Sequence, residues 1–186
     1  TKDGVVLEGE WKNGKINGIG KLIQANGDRY EGSLVNWKRN GKGVSIYTTG
    51  AKYDGKFKDD LRHGQGILTG QDGFRYEGNW LLGKMNGFGK ITYSSGSEYQ
   101  GNSKDNQPNG MGKIFFSDGG SYEGSWVNGV IEGKGIAKYA NGLVYEGEFS
   151  RGKNNGFGTM TYSDGYVYKG KWKNGIQEGE GQEIFP

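Results

Sequence analysis

Carboxylates are the first chemistry this sequence offers. Glu8, Glu31, Asp54, Glu77, Glu123 and Glu146 are groups that can act as general acids or bases when two of them meet in a protected cleft. Their regular spacing argues against that role. A carboxylate that recurs at one place in a repeated pattern reads as a solvated strand face, not as a unique pair. The one histidine, in Arg62-His63-Gly64, reads as an exposed turn residue. With 0 Cys and 1 His, neither a thiolate or imidazole metal site nor a His-dependent triad is expected. No Ser or Thr stands in a nucleophile-elbow context. The Gly-x-Gly strings look like half of a phosphate loop, yet no helix follows to offer its N-terminus to a phosphate. No catalytic residue, metal or cofactor is therefore expected within these residues.

Aromatic rings are the other abundant chemistry, and a repeat positions them. Of 186 residues 39 are Gly, 13% are aromatic and only 32% are apolar. In bulk, with a mean hydropathy of −0.83, this composition belongs to chains too polar to build a core. The order of the residues says otherwise. Tyr-Glu-Gly begins at Tyr30, Tyr76, Tyr122 and Tyr145, and close variants begin at Leu7, Tyr53, Tyr99 and Tyr168, so eight copies follow one another every 23 residues. Counted from that first residue, Gly fills positions 3, 12 and 14 in all eight copies and position 21 in the seven that reach it. With position 8 in five copies, these places hold 36 of the 39 glycines. Position 5 is Trp11, Trp80, Trp126 and Trp172, or Phe57 and Phe149. Two copies depart: the second has Leu34 at position 5 and Trp37 at position 8, and the fifth has Ser103, Asn106 and Pro108. The fifth copy leaves a gap in the aromatic row, a bend or a place for a partner side chain if it is more than a tolerated lapse.

The elements follow from the period. Positions 1, 3 and 5 alternate with polar residues, and positions 12 to 18 do likewise, so each copy holds two strands. A turn around Leu81–Asn86 joins them in the fourth copy. A second turn carries Asn26-Gly27, Asp72-Gly73, Asn141-Gly142 or Asp164-Gly165. Glycine in a strand gives a large cross-strand ring a place to lie flat, which explains why Gly and Tyr or Trp rise together. The expected fold is all-β: an elongated, twisted, single-layer antiparallel sheet, a ribbon of about eight 23-residue β-hairpin repeats. Residues 1–186 form one array, with 1–6 as the tail of a preceding partial repeat because Asp3-Gly4-Val5-Val6 fits positions 20–23. The chain is thus expected to be a fragment of a longer protein, or an array that meets another chain at its open ends.

The pattern Y-E-G-x-W-x-x-G-K-x-x-G-x-G, clearest at Tyr76–Gly89 and Tyr145–Gly158, resembles the MORN motif (membrane occupation and recognition nexus) over residues 7–186. The resemblance implies the same elongated single-layer sheet. It also implies company in cytoskeletal scaffolds, in ciliary, flagellar or axonemal assemblies, at membrane junctions, or beside kinase and methyltransferase domains.

Three surfaces are candidates for binding. Rings at Trp11, Tyr30, Tyr53, Phe57, Tyr76, Trp80, Tyr99, Tyr122, Trp126, Tyr145, Phe149 and Trp172 hold the sheet together. A single-layer sheet is also expected to leave them partly accessible as a groove for a helix or extended segment of another protein. Lys12, Lys15, Lys38, Arg39, Lys84 and Lys153 gather near one set of turns and make a basic edge, either kept charged for solubility or facing anionic lipid. The open end strands are a route to self-association. Nucleic acid is not expected, since the net charge is only +3 and rings and basic residues do not interleave on one surface. The leading reading is a cytoplasmic, non-catalytic protein-binding scaffold of a cytoskeletal, ciliary or membrane–cytoskeleton assembly. The alternatives are a phosphoinositide or anionic-membrane module, and a targeting module of an enzyme whose catalytic domain lies outside these residues.

Overall fold

A computed structural model describes residues 4–186; residues 1–3, and with them Asp3 of the expected partial repeat, lie outside the described part. The chain divides into two compact units, one reaching to Ser94 and the other Ser95–Pro186. The first contains β1 (Val6–Lys12), β2 (Lys15–Ile23), β3 (Arg29–Val35), β4 (Lys38–Ile46), β5 (Lys52–Lys58), β6 (Leu61–Thr69), β7 (Arg75–Leu81) and β8 (Lys84–Thr92). The second contains β9 (Glu98–Lys104), β10 (Gln107–Phe115), β11 (Ser121–Val127), β12 (Val130–Lys138), β13 (Val144–Ser150), β14 (Lys153–Thr161), β15 (Val167–Lys173) and β16 (Ile176–Ile184). Within each unit every strand pairs antiparallel with the next in chain order. The fold is all-β, one hairpin per repeat, with no helix among the described residues.

Two turn types alternate, and each explains a sequence column. Positions 7 and 8 both take positive φ, as at Asn13 (51°) and Gly14 (71°). That is the two-residue turn whose twist matches a hairpin, and it favours Asn, Asp and Gly. The connection in the fourth repeat is therefore only Leu82-Gly83, tighter than the expected Leu81–Asn86, because the ladder continues to Leu81↔Lys84. The other turn spans positions 19–21. Gly27 N–H donates to the Gln24 carbonyl (2.9 Å) and Gln24 N–H to the Asp28 carbonyl (2.8 Å). Its Gly at position 21 has φ between 82° and 94° in all seven copies. A side chain at position 20 tightens it, as where Asp72 accepts from Phe74 N–H (3.1 Å).

The invariant Gly at position 12 has a different cause from the one its spacing suggests. It is not a seat for a ring. In each first hairpin the register jumps: Gly78 faces Gly89, and then Trp80 faces Met85. Three residues of β8 lie opposite the single residue Asn79, a bulge, and Gly87 inside it has φ 92°. All eight position-12 glycines have positive φ. The bulge breaks the alternation of the second strand, so positions 10, 14 and 16 share the face of the rings.

Candidate partner-binding face

Each repeat assembles this face from four columns. Tyr at position 1 lies across the Gly at position 3 of its own strand and the Gly at position 14 of the next. A Cβ added to Gly43, Gly66, Gly112 or Gly158 would collide with the Tyr ring. The tyrosyl hydroxyl then donates to the carbonyl of position 4: Tyr30 to Ser33 (2.7 Å), Tyr76 to Asn79 (2.8 Å), Tyr99 to Asn102 (2.7 Å). Position 4 is the lone residue opposite the bulge, where the ladder is broken, so its carbonyl has need of a donor. This is why the column is Tyr and not Phe.

The position-5 ring stands edge-on between two tyrosines, its own and that of the preceding repeat. Phe57 lies 5.2 Å from Tyr30 and 5.0 Å from Tyr53, and Trp80 lies 5.3 Å from Tyr53 and 5.1 Å from Tyr76, all T-shaped. In the second unit the row runs Tyr99, Trp126, Tyr122, Phe149, Tyr145, Trp172, Tyr168. Such pairs contribute about 0.5–1.5 kcal/mol each beyond area burial. Three of the position-5 tryptophans also donate their indole N–H to the position-14 carbonyl of the repeat before: Trp80 to Gly66 (3.1 Å), Trp126 to Gly112 (3.2 Å), Trp172 to Gly158 (3.2 Å).

This closure corrects the expectation of accessible rings. Tyr53, Tyr76, Tyr99 and Tyr145 are 0% exposed and Trp80 is 3% exposed; Tyr30, Phe57, Tyr122, Trp126, Phe149 and Trp172 are buried as well. The rings cover one another across repeats, so they are the core of the sheet. Trp11 is the exception at 52% exposure. Its repeat has Leu7 at position 1, and its ring contact is Trp37, 5.0 Å away and edge-on. Trp37 holds φ 72°, a left-handed conformation rare for a bulky residue.

Two further columns, positions 10 and 18, also contribute to this face. Position 10 holds Arg39, Arg62 and Asn154, and position 18 holds Tyr47 and Tyr139. Tyr139 hydroxyl donates to Asn154 Oδ1 of the next repeat (2.9 Å), and the two line a hollow of about 320 Å³ with Leu143, Lys153 and Met160. A column-by-column comparison carries the signal. Position 10 changes from Ile16 to Arg39, Arg62 and Met85, while the Gly at position 12 stays fixed.

Arg39 does not belong to the basic edge on which its sequence neighbours place it. Its side chain is 15% exposed, stacks on Phe57 (5.0 Å) and pairs with Asp60 (3.3 Å), because position 10 is turned toward the rings. Lys12, Lys15, Lys38, Lys84 and Lys153 are exposed at the turns, with Lys38 3.7 Å from Asp59. His63 is also corrected. It lies in β6, half-buried, and its Nδ1 is buried without a hydrogen-bond partner. On the opposite face, position 13 holds the exposed Ile19, Phe88, Met111 and Phe157. Among the described residues no group of three or more His, Cys, Asp or Glu is placed to hold a metal ion.

The MORN repeat profile matches eight consecutive segments, residues 8–29, 30–52, 53–75, 76–98, 99–121, 122–144, 145–165 and 168–186. The chain belongs to the MORN repeat family. Among solved structures this MORN array is similar to the G-box domain of the microcephaly protein CPAP (TM-score 0.54, 14% identity, 90% of this chain and 86% of that one). It is also similar to the TCP10 domain of Danio rerio CPAP (TM-score 0.51, 14% identity, 92% and 81%). That zebrafish domain in complex with a peptide of Danio rerio STIL aligns with TM-score 0.49 at 14% identity, over 82% and 68%. At such identity the likeness is one of fold. No curated protein matches the MORN array.

Proposed function

We propose that this chain is a non-catalytic scaffold that holds a segment of another protein, extended or helical, along the ring face of its sheet, in a cytoskeletal or centriole- and cilium-type assembly. One observation carries the reading. The ring row is saturated by its own contacts, yet the same face keeps partly exposed Arg and Tyr side chains at positions 10 and 18: Arg39 and Arg62 one repeat apart, Tyr47, and Tyr139 beside the buried Asn154. Tyr and Arg are the usual anchors of protein interfaces, because they combine large contact area with directed hydrogen bonds. Membership in the MORN family supports the reading. Peptide capture by a sheet of this fold has a precedent in the zebrafish CPAP domain, an analogy at the level of fold. The lipid reading loses Arg39 and gains nothing in return.

Selection from a displayed peptide library, followed by amide and indole NMR mapping of the enriched peptides, tests this. The scaffold reading expects saturable shifts at Tyr47, Arg62, Tyr139 and Asn154. It is overturned by a library that yields no binder, or by shifts confined to Phe88, Met111 and Phe157 on the other face.

A further inference from the structure

Arg39 and Arg62 occupy the same place in successive repeats, and their surroundings repeat almost atom for atom. Arg39 Nη2 donates to the carbonyl of Asp60 (2.8 Å), and Arg62 Nη2 to the carbonyl of Gly83 (2.9 Å). Asp60 N–H returns a bond to the Arg39 carbonyl (3.0 Å), as Gly83 N–H does to the Arg62 carbonyl (2.9 Å). Both guanidinium groups lie over the following position-5 ring, Arg39 at 5.0 Å from Phe57 and Arg62 at 4.2 Å from Trp80. Two elements differ: Arg39 Nη1 also donates to Ser45 Oγ (3.3 Å), where the next repeat has Leu68, and the carboxylate beside Arg39 has no counterpart beside Arg62. The Asp60 carboxylate accepts from both the backbone N–H (2.9 Å) and Nε (3.3 Å) of Arg39. Position 8 of the next repeat is Gly83, which has no side chain to do this. Arg62 has no ion pair and no side-chain hydrogen bond beyond the one to Gly83 among the described residues.

We propose that the place left vacant by Gly83 is a receptor for a partner's carboxylate: a Glu or Asp side chain of an acidic segment, bound by Arg62 over the face of Trp80. The proposal rests on the scaffold reading and names the chemistry of its partner. Three features favour it. The chain itself puts a carboxylate in the equivalent place one repeat earlier. A half-buried guanidinium stacked on an indole is poorly hydrated, so a charge-assisted bond to it is strong. Burial, offset in part by the nearby Tyr47 and Tyr53, holds Arg62 below the usual arginine range, and an anion would reverse that effect. The single positive charge suits a carboxylate better than a phosphate dianion, since Asp60 already neutralises Arg39.

The test titrates the chain with a blocked peptide of alternating alanine and glutamate, with its glutamine counterpart, and with inorganic phosphate. The Arg62 Nε–H and Trp80 indole N–H resonances are followed. Saturable shifts with the glutamate peptide, at least about tenfold weaker with the glutamine peptide and with phosphate, are expected. Gly83→Asp supplies the missing carboxylate from within. Asp60 holds φ 69° at the equivalent place, so the backbone accepts it, and an added Cβ meets only Leu61 at 3.8 Å. That variant should melt higher and lose the glutamate response, as should Arg62→Gln. Equal response to the two peptides, or a Gly83→Asp variant that binds as the parent does, overturns the proposal. Phosphate binding that matches or exceeds the glutamate peptide overturns it in favour of a phosphate site. Library peptides that still shift Tyr139 and Asn154 while ignoring Arg62→Gln would leave the scaffold reading intact and remove the carboxylate receptor alone.

Discussion

A single hydroxyl explains the most regular residue of this chain. Tyr76 is fully buried among rings and would look replaceable by Phe, but its hydroxyl serves the Asn79 carbonyl beside the bulge. Tyr76→Phe should cost about 1–2 kcal/mol in chemical denaturation, since it leaves that acceptor without a donor. A loss below a few tenths would mean that water serves the carbonyl instead. Burial also pushes Tyr30, Tyr76, Tyr122 and Tyr145 up to about 12. Their contribution is fully present below pH 10, where both states are protonated. It is lost as pH rises from 10 toward 12, because the unfolded chain releases protons that the fold still retains. Tyrosinate absorbance and the loss of sheet circular dichroism should therefore rise together above pH 10. Absorbance that titrates near 10 with the sheet intact would contradict this. Spacing shows that rings sit over glycines. The carbonyl that demands Tyr is set by a ladder register that no single strand reveals.

Hairpins are the scale at which the sequence is most legible. Asn, Asp and Gly announce both turns: at positions 7, 8 and 21 the backbone takes positive φ, and at position 20 the side chain accepts a turn N–H, as at Asp72, Asp118 and Asp164. The bulge was hidden, because Gly at position 12 reads equally well as a ring seat. Repeats are joined by bonds that need both neighbours. Side chains at position 11 accept from the first N–H of the next turn, as where Asn109 accepts from Asn128 (3.1 Å) and Glu132 from Arg151 (2.9 Å). His63 holds that place in the third repeat with its Nδ1 unsatisfied. His63→Asn should bond the N–H of Leu82 and raise stability by about 0.5–1 kcal/mol, read as a higher urea midpoint. An unchanged or lowered midpoint would show that the imidazole packs to advantage where it is. Leu82 itself sits at φ 49° in a column otherwise rich in Asn and Asp, a strain the sequence pattern does flag.

At the scale of the molecule, each unit is a sheet whose interior is a row of rings with no second layer over it. That arrangement lets a chain of 32% apolar residues fold. Columns 1 and 5 are buried and structural, and columns 10 and 18 are the ones proposed to meet a partner. Trp80→Ser should cost about 3–5 kcal/mol and loosen the first unit, since it removes two ring contacts and the bond to Gly66. Tyr47→Ser should leave stability within about 1 kcal/mol while weakening peptide binding. The repeat and the fold family were legible because 36 of 39 glycines obey one grid. The burial of the ring row was not, because it arises only where rings of neighbouring repeats close on one another. Exchange of the indole N–H groups with solvent tests the division most directly. A ring core requires strong protection for Trp80, Trp126 and Trp172 and near-free exchange for Trp11; fast exchange at all four would contradict it, for the rings would then be an open groove and not a core.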